Sequence, residues 1–238
     1  MSRVIALIKK EILLMLNSPI AYIVAFVFVM VNNWLYFERF FVDAQANLRS
    51  YFSFFPWVFL FVIPAITMRL WAEEKKNGTI EFLLTTALKD WEAVIAKFAS
   101  ALCLVLFILV CTIPVPLTVA VLGNADTGAI IANYIAIFLL AGAMLAIGQW
   151  ISSLTKNQII AFLISLLILF ALMMMGQPYV LSSTKGLVAD IFRTASTATH
   201  FESMARGVID VRDGVYFGSL ITLFLFLNIY TLQNRHWK

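Results

Sequence analysis

The sequence predicts an all-α integral membrane protein with six transmembrane helices. Three observations carry this. Hydrophobic residues make up 62% of the 238 residues, while charged residues are only 13%. The mean hydropathy is +0.93. The charged residues are also bunched: no Asp, Glu, Lys or Arg occurs over 98–125, 127–155, 157–184 or 214–234. Each run exceeds the roughly 20 residues that a helix needs to cross hydrocarbon. A soluble fold of this size has no means of hiding so much apolar surface, whereas lipid accepts it as long as every backbone group is bonded within its own helix.

Two further apolar runs, 20–37 and 51–68, complete the set. The expected spans are about 19–36, 51–68, 98–121, 130–150, 158–176 and 214–232 of a single transmembrane domain. Pro19 suits the first turn of span one, where its missing N–H costs no hydrogen bond. Pro64, Pro114 and Pro116 fall inside spans two and three and are expected to kink them. Ala44-Gln45-Ala46 has the look of a cleavage site. It lies well past the first apolar run, beyond Glu38, Arg39 and Asp43, so span one is read as retained. Cys103 and Cys111 both fall in span three and read as small packing residues.

Orientation follows the distribution of Lys and Arg. The N-terminus, loop 2–3, loop 4–5 and the C-terminus carry eleven, and the opposite loops carry six. Both ends are therefore expected in the cytoplasm. Trp71, Trp150 and Trp237 would mark that boundary, and Trp34 and Tyr36 the other. The net charge of +4 reflects this bias. No basic patch interleaved with aromatics points to nucleic acid.

Outside the spans, three segments carry pattern. In residues 1–17, Val4, Ile5, Ile8, Ile12 and Leu16 recur at helical spacing. They suggest an amphipathic helix in the cytoplasmic interface, or a charged tail leading into span one. Loop 2–3, residues 69–97, opens on an acidic-basic strip that ends in the turn signal Asn77-Gly78. Ile80, Leu83, Leu84 and Ala87 then lie on one helix face, and Asp90 is placed to cap the next helix. A short amphipathic helix there rests on lipid or inserts into a groove of a soluble partner. Loop 5–6, residues 177–213, holds two apolar clusters, Leu187-Val188-Ile191-Phe192 and Phe201-Met204-Ala205-Val208-Ile209. Thr199 and Glu202 have capping-box spacing. Two short helices dipping toward the outer leaflet fit this pattern, as a closure of an external mouth or as a lid over the helix ends.

Absences narrow the function. The nearest match to a P-loop, Gly123 and Gly128, is followed by Ala-Ile and not by Lys-Ser/Thr. The two histidines, His200 and His236, are too few for a zinc site of the His-Glu-x-x-His type, and neither lies in a span. His200 reads as a surface side chain. No acid or base falls within the expected spans, which argues against an ion-coupled secondary transporter or channel, the alternative reading. A membrane enzyme lacks its catalytic cluster. A six-span unit with no energy source of its own suggests dimerisation and a partner that supplies the energy.

Four stretches carry a family likeness. They are Lys9-Lys10-Glu11 with 17–22; Glu73-Glu74-Lys75-Lys76-Asn77-Gly78-Thr79-Ile80-Glu81-Phe82-Leu83-Leu84 with Trp91 and Ala96-Lys97; residues 201–213; and residues 232–237. Over essentially its whole length the chain resembles the permease subunit of ABC-2 type transporters. Within them it is most similar to the subset containing the gliding-motility permease of Bacteroidetes-type bacteria and the copper-maturation permease of nitrous oxide reductase clusters.

The resemblance implies a non-catalytic exporter subunit in a bacterial inner membrane. It would work with a second permease, as a homodimer or with a close paralogue. Two copies of a soluble ABC ATPase would bind the ATP and Mg, and this chain would bind no cofactor. Residues 73–88 would hold a coupling helix docked on the ATPase, with Glu73, Glu74, Gly78, Thr79 and Glu81 as the motif residues. Gly78 would permit the tight turn. The helices of loop 5–6, with Glu202, Arg206 and Asp210, would form an external gate. The work driven is export, of a lipid-like or bulky amphipathic cargo, or a mechanical change in an external partner protein.

Overall fold

A computed structural model describes residues 2–43, 48–79, 89–122, 126–184, 186–207 and 210–234. Every regular element among them is a helix: α1 (Ser2–Leu16), α2 (Pro19–Asp43), α3 (Leu48–Ser53), α4 (Phe55–Thr67), α5 (Ala72–Asn77), α6 (Asp90–Thr112), α7 (Pro114–Leu122), α8 (Thr127–Leu154), α9 (Gln158–Met174), α10 (Pro178–Ser183), α11 (Leu187–Ala195), α12 (Thr197–Met204) and α13 (Val211–Gln233). Five described stretches are long and apolar enough to cross a membrane: Pro19–Glu38, Leu48–Asn77, Asp90–Val121, Thr127–Leu154 and Val211–Gln233. The sixth apolar helix, α9, has 17 residues and so sits at the short limit for a crossing.

Helix α8 is the axis of the bundle, with α13, α4, α9 and α6 all packed on it. Ten consecutive residues, Leu140 to Gln149, are buried on every side. Their sequence, Leu-Ala-Gly-Ala-Met-Leu-Ala-Ile-Gly-Gln, explains how. Small side chains let neighbouring backbones approach closely, which is how helices gain contact where lipid removes the hydrophobic drive. At Gly148 a Cβ would lie 2.3 Å from Thr67 Oγ1 of α4. The outer helices are the reverse: only 17% of the α13 window and 28% of the α2 window is buried. Tyr22, Phe26, Met30, Trp34, Leu223 and Phe226 face outward.

Aromatic rings join α2 to α3 and α4. Phe28 stacks on Phe59 at 4.7 Å between centroids and meets Phe55 edge-on at 5.2 Å. Tyr51 bridges to span three, donating to the Thr112 carbonyl at 3.4 Å. The prolines act differently from one another. Pro114 splits span three, α6 ending at Thr112 and α7 starting at Pro114. Pro64 lies inside α4, where the Thr67 hydroxyl donates to the Ile63 carbonyl at 3.0 Å.

Several local expectations are corrected. Helix α6 starts at Asp90 itself, after Lys89, and the Glu92 carboxylate takes the Lys89 N–H at 3.0 Å; Asp90 is therefore not the cap. Helix α12 starts at Thr197, capped by Ser196 and not by Thr199. Ser196 ends α11 and opens α12, so the shared joint decides the start. Among the described residues loop 5–6 holds three short helices, α10 to α12, instead of two. On α1 the buried residues are Leu7 and Glu11, while Ile5 is 62% exposed. The helix turns the face that meets α6 inward, because Glu11 has a cation to reach there. Trp71 and Tyr36 are buried and do not serve as interface anchors, whereas Trp34 is 67% exposed.

Candidate functional site

The bundle has two ends. One gathers α1, α5, the start of α6 and the end of α8. The other gathers α10, α11, α12 and the starts of α8 and α13.

At the first end the chain leaves α4 through Met68–Trp71 and makes the single turn-and-a-half helix α5. Ser152, near the end of α8, holds this passage. Its hydroxyl oxygen accepts the backbone N–H groups of Trp71 and Ala72, each at 3.2 Å, and donates to the Met68 carbonyl at 3.1 Å. The buried Lys75 ammonium donates to the Ser153 carbonyl, one of the carbonyls that the end of a helix leaves without an internal partner. Gly78 closes α5 with φ +70°, and its N–H bonds to the Glu74 carbonyl. Only glycine adopts that backbone without strain.

The far side of the strip is tied to α6. Lys97 lies well inside α6, its side chain 4% exposed, and pairs with Glu74 at 2.6 Å and Glu11 at 3.5 Å. Its ammonium also sits 5.1 Å from the centroid of the Trp71 ring. A charge this buried needs such partners, since an unpaired ammonium in a low-dielectric site is strongly unfavourable. The Gln149 amide of α8 donates to the Val94 carbonyl of α6 at 3.0 Å. Both elements that flank residues 78–89 are therefore bonded to the end of α8, and α1 is joined to them through Glu11. Between α1, α2, α4, α5 and α6 a cavity of about 360 Å³ opens, with Arg69, Glu73 and Lys97 in its wall.

Of the sequence-predicted motif residues, Glu74 is part of this cluster and Glu73 lines the cavity. Gly78 makes the turn, and the Thr79 hydroxyl donates to the Glu74 carbonyl at 3.3 Å. Glu81, with Ile80, Leu83, Leu84 and Ala87, lies outside the described residues. Glu11 and Lys97 stand in the stretches that carry the family likeness but are given no role there, and Ser152 is not singled out by sequence. The available signals were weak: Glu11 follows Leu7 by one turn on α1, and Lys97 stands immediately before an uncharged run.

At the second end the three residues assigned to a gate are not brought together. Glu202 and Arg206 are exposed, and no ion pair joins either to Asp210 among the described residues. Asp210 caps α13, its Oδ1 accepting the Arg212 N–H at 2.9 Å. The organised group is instead His200. Its Nδ1 is 2.7 Å from Asp213 Oδ1, and its Nε2 is 3.2 Å from the Thr194 carbonyl oxygen. The ring stacks on Tyr216 at 3.9 Å, and the Tyr216 hydroxyl donates to the Ala195 carbonyl at 2.6 Å. His200 is thus the fastening of α11 and α12 to α13, and not a free surface side chain. Asn133 of α8 adds a second tie, donating to the Ala205 carbonyl at 3.4 Å. Lys97, two turns into α6, and Asp213, in the first turn of α13, each stand immediately before an uncharged run.

Among the described residues no group of His, Cys, Asp and Glu is arranged to hold a metal ion. Comparison with known proteins agrees with the architecture. A family model described as ABC-2 family transporter protein matches residues 31–232. None of the curated proteins compared with this chain matches it.

Proposed function

This chain belongs to the ABC-2 family of transporter proteins and is the membrane component of an ABC transporter; from that premise we propose that it is a non-catalytic permease whose loop 2–3 receives the stroke of a separate ATPase. In this reading six helices cross a bacterial inner membrane with both termini in the cytoplasm, α9 being the short sixth span. Two permeases, as a homodimer or with a close paralogue, pair with two soluble ATPase subunits that bind ATP and Mg. Residues 73–88 form the coupling region, with Glu73, Glu74, Gly78, Thr79 and Glu81 at the contact. The second end is external, and α10 to α12, with Glu202, Arg206 and Asp210, close it. The output is export or mechanical work on an external partner. The narrower likeness to gliding-motility and copper-maturation permeases rests on residues 73–84 and 201–213.

One observation carries the reading. Trp71, Ala72 and Lys75 on one side of the segment, and Val94 on the other, are hydrogen bonded to Ser152, Ser153 and Gln149 of the central helix. A displacement delivered at 78–89 therefore reaches the axis of the bundle through short, buried bonds instead of dissipating in a loose loop. Packed elements of this kind move as units. Force on α8 is then passed to α13, α4 and α9, which surround it.

The test is copurification of the chain with its ATPase, before and after residues 78–84 are replaced by a Gly-Ser linker of equal length. The expected outcome is loss of the ATPase with the permease still folded in detergent. Retention of the ATPase at full yield would remove the docking assignment.

A further inference from the structure

We propose that the cavity between α1, α2 and α6 binds a zwitterionic amphiphile: an ammonium-and-phosphate head with an acyl tail, as in an ethanolamine phospholipid. At about 360 Å³ the cavity lies within the range of small-molecule sites, about 300–1,000 Å³. It has room for a head and the first part of one chain.

The wall changes character along its length. On one side it is ionic, with Glu11, Arg69, Glu73, Glu74 and Lys97. On the other it is apolar, formed in part by Ile20, Val24 and Leu104. The apolar side runs up the first turns of α2, whose neighbouring residues Tyr22, Ile23 and Phe26 are exposed and face the surroundings of the bundle.

The charges select the head. Lys97 pairs with both Glu11 and Glu74, while Glu74 Oε2 is buried with no hydrogen-bond partner. That leaves Arg69 and Glu73, one cation and one carboxylate, neither in an ion pair among the described residues. Arg69 Nε is moreover closed off from water with no acceptor. A guanidinium matches a phosphodiester through its forked donors, and a carboxylate matches an ammonium. A ligand with both, and a tail for the apolar wall, answers all three features. An anionic head without an ammonium leaves Glu73 unmatched and sets a negative charge beside three carboxylates.

The experiment is native mass spectrometry of the full chain in detergent, titrated separately with phosphatidylethanolamine, phosphatidylglycerol and soluble phosphoethanolamine. The expected result is preferential binding of phosphatidylethanolamine. Arg69→Gln and the cavity-filling change Ala65→Phe should each lower that binding about tenfold, the scale of one lost charge-assisted contact. Should Ala65→Phe fail to fold, Ile20→Trp fills the apolar wall from α2. Circular dichroism establishes that the helices of each variant are intact. Equal binding of phosphatidylglycerol, or undiminished binding by the folded variants, would overturn the proposal. Binding of phosphoethanolamine as strong as that of the lipid would overturn the lipid assignment. No ATPase enters the measurement, so its outcome stands apart from that of the docking test.

Discussion

At the scale of single residues, Lys97 has the largest expected effect. Its ammonium is the shared partner of two carboxylates and of the Trp71 ring. Replacing it with Met leaves Glu11 and Glu74 facing each other in a buried site. The expected loss is about 3–5 kcal/mol, the cost of breaking a buried pair from one side. Thermal unfolding in detergent measures it. Restoring balance with Glu11→Gln and Glu74→Gln in the same chain should recover much of the loss. A Lys97→Met variant as stable as the parent would mean that the pair contributes nothing. The sequence names these three residues but not their meeting, because Glu11 and Glu74 stand 86 and 23 positions from Lys97. No periodicity links residues so far apart.

At the scale of elements, the contact between α4 and α8 depends on the absence of a side chain at Gly148. A methyl group there would meet Thr67 Oγ1 at 2.3 Å and Thr67 Cβ at 2.9 Å. Gly148→Ala is expected to force the helices apart and to cost about 1–3 kcal/mol, as overpacking does. The shift should also lengthen the bonds from Ser152 to Trp71 and Ala72, which lie one turn further along α8. Faster amide hydrogen exchange at residues 71–75 in Gly148→Ala, with α12 unchanged, is the expected signature. Equal exchange at both sites would show that the close approach does not hold the strip. A companion change, Thr67→Ala, removes the nearest atom and should restore part of the protection. Helix starts were the least legible feature at this scale. Asp90 and Thr199 both have capping chemistry, yet Lys89 and Ser196 precede the helices. The residue at which a chain enters a helix depends on what it is docked against on the way in.

At the scale of the whole molecule, the alternation of ends places loop 2–3 on one side and α10 to α12 on the other. With the excess of Lys and Arg on the first side, residue 77 is expected to face the cell interior. Asn77 is exposed and suits a reporter. The reporter chain first replaces Cys103 and Cys111 with Ser, because both native thiols are exposed. In that chain Asn77→Cys should resist an impermeant thiol reagent added to intact cells and react once the membrane is opened. Tyr179→Cys, in exposed α10, should show the opposite behaviour. Reaction of position 77 from outside would reverse the orientation and remove the coupling reading with it.

The long uncharged runs determined that this protein is a bundle of apolar helices, because in lipid each backbone must satisfy its own hydrogen bonds within its own segment. That requirement is local, so it is written in consecutive residues. The small-residue run from Leu140 to Gln149 is equally visible, but its place at the axis is not. Only the tertiary structure decided which helix is central and which face of α1 turns inward. It also decided that Lys97, Glu74 and Glu11 close on one another, and that His200 fastens to Asp213 while no ion pair joins Glu202, Arg206 and Asp210 among the described residues. These are pairings between distant segments, fixed by side-chain volume and by the need of each buried charge for a partner.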